Sequence, residues 1–318
     1  MPSRSSVGLA LAVVATGIGA IQIASANLPQ AAGCRQLHLD FFGGLPLTQA
    51  RVSGGSPSWF LLDTASTFTF VDAPVAQSLG LRSRGGMTIT GGSGSASAIT
   101  FADDVAFDVG GVTLKSRVAV MTLQMKYDRP LAGILGAPFF SRFATRLDFA
   151  GSTLDVCDPD AFTPPRDAER IPFRIEEEIP MIDIGLQLPR REEIVAPVYV
   201  DTAASQAIVL NRPFVAAHRL EEGQRLEHQQ AGSLTGSMSY AAVRGASVRI
   251  GSRVHTGVIV GFSPSERTNR AGVVGNGILS NYVLVLDYGR RRLHLQQRAS
   301  AQRRTLLASR FMDLGAGP

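Results

Sequence analysis

"WFLLDTASTFTFVD", residues 59–72, sets one acid directly after an unbroken apolar run. Asp63 follows Trp59-Phe60-Leu61-Leu62 and precedes Thr64-Ala65-Ser66, with Phe68, Phe70 and Val71 close behind. A lone carboxylate at the end of a buried strand is costly unless it is paired, hydrogen-bonded or protonated. The stretch therefore asks for a partner. "VYVDTAASQAIVLN", residues 198–211, has the same form: an apolar strand, Asp201, Thr202-Ala203, a small residue, then apolar alternation.

A second pair of segments repeats with the first. "GILGAPFFSRFATRLDF" (133–149) matches "GVVGNGILSNYVLVLDY" (272–288), with Gly133/Gly272, Gly136/Gly275, Ser141/Ser280, Leu147/Leu286 and Asp148/Asp287 in register without a gap. Asp63 to Gly136 spans 73 positions and Asp201 to Gly275 spans 74. Self-similarity at a fixed offset marks a duplicated unit. The first copy is expected over 34–157 and the second over 170–298, joined by a charged, proline-rich linker at 158–169 and followed by a basic tail at 299–318.

Each copy reads as mostly β. "MTIT", "VAFDV", "VTLKSRVAVM", "MIDIGLQL", "ASVRIG" and "HTGVIVGF" are short strand-type runs separated by Gly, Asn, Asp or Pro. Two helices are expected, at 72–81 and 211–220, each about ten residues after its acid and each with Pro near its start, where a first helical turn accepts it. The fold class is therefore all-β with few short helices.

The first 26 residues stand apart. Arg4 precedes an uncharged run from Val7 to Ile21, and Ala24-Ser25-Ala26 has the small-x-small form of a signal-peptidase site. This predicts a signal peptide cleaved after Ala26 and an exported protein, periplasmic or secreted. The alternative, a retained anchor, meets a run that is short for a span of ~20 residues. Cys34 and Cys157 are the two cysteines and bracket the first copy; in an exported protein they suggest a disulfide, although two free thiols fit the sequence as well. The net charge is +5 and lysine occurs only at Lys115 and Lys126. The arginines are scattered rather than gathered into a stripe with stacking aromatics, so no nucleic-acid partner is expected. The five histidines lack ligand spacing such as HExxH, so neither metal nor cofactor is expected. Ser93, in a glycine-rich loop, lacks the strand-to-helix setting of a nucleophile elbow. Asp148 and Asp287 read as hairpin acids before a final strand.

Two equivalent carboxylates on two copies of one fold suggest a pseudo-twofold axis that brings them together. Like charges a few ångströms apart do not easily both ionise, so such a pair holds one proton between them. One acid is then a base toward water and the other an acid toward a carbonyl oxygen. The neighbours suit that arrangement. Thr64 and Thr202 can bond the opposite loop, the N–H groups of Ala65 and Ala203 can donate to the carboxylates, and Ser66 is expected to bond the outer oxygen of Asp63.

Asp-Thr-small-(Ser/Ala), followed much later by apolar-apolar-Gly, resembles the aspartic protease superfamily, both pepsin-like and retropepsin-like, over roughly residues 37–297. The resemblance implies a double-psi β-barrel lobe per copy, Asp63 and Asp201 as the catalytic pair, and a cleft for an extended peptide or protein substrate. A monomer follows, because both half-sites lie in one chain. It further implies hairpin flaps at "TGGSGSASA" (90–98) and "AGSLTGSMSYA" (231–241), with Gly91, Gly92, Gly94, Gly236 and Tyr240 as flap or cleft candidates. The sequence departs from the family at the third motif position, where Ala65 and Ala203 replace the usual Gly. Their Cβ atoms would crowd the opposite loop or the substrate, and a positive φ there would be strained. The leading function is an exported aspartic endopeptidase. Its competitors are a peptide- or envelope-binding protein with an impaired dyad and a tethered interaction module.

Overall fold

The computed structural model describes residues 33–90, 96–124, 130–233 and 236–297. Strands dominate, and the described helices are four short ones, Ala73–Ser78, Ala137–Phe140, Arg212–Ala217 and Asn276–Leu279. The first and third lie inside the segments expected to be helical, each with Pro in its first turn. The six strand-type runs fall in strands, except that two of them overrun by their last residue, Leu188 and Gly251. No described helix is long and apolar enough to cross a membrane. The expected signal peptide, the basic tail, and Gly91, Gly92, Ser93 and Gly94 lie outside the described residues.

Two closed six-stranded barrels organise the chain. In the first, hydrogen bonding runs from Leu45–Val52 through Ser58–Leu62, Leu131–Leu135, Thr69–Asp72, Val112–Met121 and Ala96–Val109, then back to Leu45–Val52. The second repeats the order with Ile179–Gln187, Ile194–Val200, Gly272–Val274, Ile208–Asn211, Arg253–Ser263 and Gly236–Ile250. In each ring the strand that leads to an acid runs parallel to the strand that ends before the repeated glycine. Such a strand is covered on both sides, so its sequence is nearly continuous in apolar residues rather than alternating. That accounts for the "WFLL" and "VYV" runs: Phe60, Leu61 and Leu62 are buried, as are Val198, Tyr199 and Val200. Val112–Met121 shows both regimes, alternating where it projects as a hairpin and wholly buried where it enters the barrel wall.

A six-stranded sheet joins the barrels, in the order Cys34–His38, Thr153–Cys157, Ala144–Asp148, Tyr282–Asp287, Arg292–Gln297, Glu169–Pro172. Its central seam pairs the two halves directly, with Thr145 opposite Leu286 and Leu147 opposite Leu284. Leu147, Leu154, Leu284 and Leu286 on this sheet join one apolar core with Phe60 and Phe107 of the first barrel and Ile182 and Val198 of the second. Cys34 and Cys157 face each other across neighbouring strands and form a disulfide. Asp148 accepts the N–H groups of Ala150 and Gly151, at 3.1 and 3.0 Å. Asp287 accepts the Arg290 N–H at 3.0 Å and pairs with its guanidinium at 2.9 Å. Both acids hold hairpin turns.

Candidate active site

Each acid sits on the last rung of a parallel ladder. The Asp63 N–H donates to Leu135 O at 3.0 Å and the Asp201 N–H donates to Val274 O at 2.9 Å. Beyond that rung the chain turns back on its own carboxylate. Ala65 N–H donates to Asp63 Oδ1, and Ala203 N–H to Asp201 Oδ1, both at 2.8 Å. The segment after the ladder strand then locks the turn. Ala137 N–H donates to Ser66 O at 2.8 Å, and Asn276 N–H to Ala204 O at 2.7 Å. The repeated glycines make this approach possible. A Cβ at Gly136 would stand 2.1 Å from Phe68 O, and one at Gly275 would stand 2.5 Å from Gln206 O.

The two turns are tied to each other by reciprocal bonds. Thr64 Oγ1 donates to Val200 O at 2.6 Å and accepts the Thr202 N–H at 3.1 Å. Thr202 Oγ1 donates to Leu62 O at 2.7 Å and accepts the Thr64 N–H at 3.2 Å. Both threonines are fully buried. Four bonds therefore cross between segments about 138 residues apart in sequence, and they set the turn that follows Asp63 against the turn that follows Asp201.

The alanines at the third motif position carry no backbone strain and pack against the facing half. Neither has a positive φ. Each methyl crosses into the other barrel: Ala65 packs against Ile179, Met181 and Tyr199, while Ala203 joins the cluster of Leu47, Leu61 and Phe70. Ser66 also departs from expectation. Its hydroxyl donates to Phe68 O at 2.8 Å and not to the Asp63 carboxylate. A carbonyl left unpaired in a tight, buried turn competes strongly for a nearby hydroxyl.

The carboxylates retain partial access to solvent, yet the surrounding protein displaces most of their water. Burial, followed by the charge of Asp201, raises Asp63 well above the usual carboxylate range, against a lowering by the Ala65 N–H. Burial pushes Asp201 up to about 6, opposed by the Ala203 N–H, the Arg270 charge and the Ala204 N–H. Two acids that each resist ionisation, one of them because of the other, behave as a coupled pair. Among the described residues no group of three or more His, Cys, Asp or Glu side chains could hold a metal ion.

Three residues near the pair were not anticipated from sequence. Asn276 is buried and its Nδ2 donates to Thr202 O at 2.7 Å and to Gly44 O at 3.0 Å, tying the second turn to the first half. Arg270 lies with its guanidinium carbon 4.1 Å from the centroid of the buried Tyr199 ring. The repeat itself held a signal for Tyr199 and Arg270. Tyr199 stands two residues before Asp201 and Arg270 two before Gly272, where the first copy has Leu61 and Leu131.

Of the flap candidates, Gly236 opens the long strand Gly236–Ile250, which pairs with Leu226–Ser233 in an antiparallel hairpin. Tyr240 lies lower in that hairpin and is buried. Its hydroxyl donates to Gln229 Oε1 at 3.3 Å, and its ring covers Gly261, where a Cβ would meet it at 2.6 Å.

An all-β molecule of two like barrels, with one acid from each joined at a reciprocal threonine junction, is built as a bilobal acid-pair protein. Residues 48–139 match the sequence profile of a family described as aspartyl protease, a span that holds Asp63, Thr64 and Gly136. The match supports an aspartic-protease-like class of hydrolase for the chain. Comparison with curated proteins finds no match.

Proposed function

We propose that the protein is an exported aspartic endopeptidase that hydrolyses peptide bonds with a water molecule activated between Asp63 and Asp201. The observation that carries this reading is the threonine junction, which ties the turn after Asp63 to the turn after Asp201, two acids that both resist ionisation. In the reaction the ionised acid takes a proton from water as the oxygen attacks the scissile carbonyl carbon, and the protonated acid gives its proton to the carbonyl oxygen. A neutral tetrahedral diol results. On collapse the newly protonated acid passes its proton to the leaving nitrogen as the C–N bond breaks. The other acid recovers the proton from a diol hydroxyl, which restores the starting state.

Several features support the substrate class and setting. A backbone carbonyl is what a proton-sharing acid pair can polarise without a metal, and the matched family is proteolytic. The Cys34–Cys157 disulfide suits an oxidising compartment, in keeping with the signal-like N-terminus. One chain supplies both half-sites, so a monomer suffices.

The test is a peptide-library digest from acidic to neutral pH with wild type, Asp63→Asn and Asp201→Asn. Cleavage reduced at least about 100-fold in each variant, together with inhibition of wild type by a statine-type transition-state mimic, is the expected result. Wild-type protein that binds peptides without cutting them would overturn the reading.

A further inference from the structure

The two halves repeat one another closely around the acids, so the positions where they differ decide how the pair divides its proton. The clearest difference lies directly behind the acids. The first half carries Leu61 and Leu131, and both belong to or pack on an apolar cluster. The second half carries Tyr199 and Arg270 at the matching places. Residues i and i+2 of an extended strand face the same way, so Tyr199 and Asp201 lie on one side of the chain, and Arg270 rests on the Tyr199 ring.

Among the described residues no carboxylate forms an ion pair with Arg270, and its nearest partner is Tyr199. Its Nε and Nη1 are buried and, among the described residues, have no hydrogen-bond acceptor. The other charged groups around it are accounted for. Arg267, from the same loop, pairs with Glu177 at 3.3 Å and also donates to Thr90 O at 3.0 Å. Glu177 further receives the Tyr199 hydroxyl at 3.5 Å, and its carbonyl accepts the Thr67 hydroxyl at 3.0 Å. Asn269 donates to the Tyr199 hydroxyl at 3.2 Å. Glu176 acts on Tyr199 at longer range. Glu177 is engaged by Arg267; Arg270 lowers Asp201, and Asp201 in turn acts on Arg270 after the Arg267 charge and the Tyr199 hydroxyl. Arginine stays protonated even under burial, which makes it a fixed charge rather than a second titrating group.

We propose that Arg270, seated on Tyr199, is a positioning residue that breaks the symmetry of the acid pair. It keeps the shared negative charge on Asp201 and the proton on Asp63, so that Asp201 is the base toward water and Asp63 the acid toward the carbonyl oxygen. The inference rests on the hydrolytic reading for its consequence in turnover, but not for the charge distribution itself. The two ends of the pH profile should respond differently. Arg270 favours the first ionisation of the pair, which sets the acid limb of kcat/KM. The alkaline limb follows loss of the proton from Asp63, whose environment is set by burial and Asp201.

Two measurements on Arg270→Gln, Arg270→Met and Arg270→Lys test this. The Met variant guards against misfolding, because replacing a buried charge by an apolar group of similar shape is often neutral or stabilising. In peptide hydrolysis, Gln and Met should move the acid limb up by about one pH unit, roughly a tenfold loss of kcat/KM below that limb, and leave the alkaline limb in place; Lys should restore most of the shift. In parallel, the carboxyl carbon of Asp201 is titrated by NMR on 13C-aspartate-labelled protein, its signal assigned by loss in Asp201→Asn. That titration should move up by a similar amount in Gln and Met. An acid limb and an Asp201 titration that stay where wild type has them would overturn the proposal. If wild type cleaves nothing, the hydrolytic reading fails, and the NMR shift alone still decides whether Arg270 places the charge.

Discussion

Thr202→Val removes one oxygen from the junction and keeps the shape of the side chain. That hydroxyl donates to Leu62 O at 2.7 Å and accepts the Thr64 N–H at 3.2 Å, at a residue with 0% exposure. The variant strands a carbonyl and an N–H where water does not reach. Each such group costs about 1–3 kcal/mol. The longer of the two bonds belongs at the low end of that range, so the expected loss is about 3 kcal/mol. Urea unfolding followed through the single tryptophan reports it well, since Trp59 lies on the strand that delivers Asp63. With a slope of about 3 kcal/mol per molar, the midpoint should fall by about 1 M. Thr64→Val should behave alike, because its hydroxyl serves Val200 O and the Thr202 N–H. The two bonds of one hydroxyl share no atom with the two bonds of the other, so a purely local account has the two losses add. If the junction works as one clasp, the first loss lets the turns part and the second costs less, giving a coupling of about 1 kcal/mol or more. A Thr202→Val protein within about 0.5 kcal/mol of wild type would refute the clasp, and strict additivity would refute its acting as a unit.

Gly136→Ala should be among the most damaging single changes, costing more than about 3 kcal/mol, because the new methyl meets Phe68 O at 2.1 Å and Ser66 O at 2.7 Å; soluble yield and thermal melting check it. Replacing Cys34 and Cys157 by Ala opens a link across 123 residues and should lower stability by about 2–4 kcal/mol, read by urea unfolding. Asp201 is raised from 3.8 to about 6 by folding, so its protonated form favours the folded state below the lower value, and that contribution is lost as pH rises through the higher one. Wild type should therefore lose about 3 kcal/mol relative to Asp201→Asn between about pH 4 and pH 7, measurable from paired urea curves. Ala65→Gly should cost about 1 kcal/mol from the lost contact with the Tyr199 cluster and the freer backbone, and turnover should survive.

Much of this architecture is written in short-range pattern. The apolar runs before Asp63 and Asp201 announce strands covered on both sides, and Pro at the head of 73–78 and 212–217 announces helices. The repeat allows two barrels of one topology to be expected from one chain. What pattern does not carry is the destination of a side chain across a long-range contact. Ser66 lies three residues after Asp63 in sequence, yet its hydroxyl serves Phe68 O. Ala65 and Ala203 look obstructive in a motif, and only the facing barrel shows where their methyls go. Arg270, in a polar loop "TNRAG", reads as a surface residue until the repeat is aligned and Leu131 is found in its place. The seam between Ala144–Asp148 and Tyr282–Asp287 joins two strands that the repeat matches in sequence, but that match does not say that they pair with each other.

That seam also bears on how the molecule comes into being. A growing chain that has reached residue 200 has every strand of its first barrel, but Ala144–Asp148 still shows a bare flank of N–H and C=O groups to any strand it meets. Such an unfinished border invites pairing with other chains. It closes only when Tyr282–Asp287 arrives. The turns that carry Asp63 and Asp201 would thus settle together late, and on the hydrolytic reading proposed above a half-made molecule would have no means of cutting its neighbours.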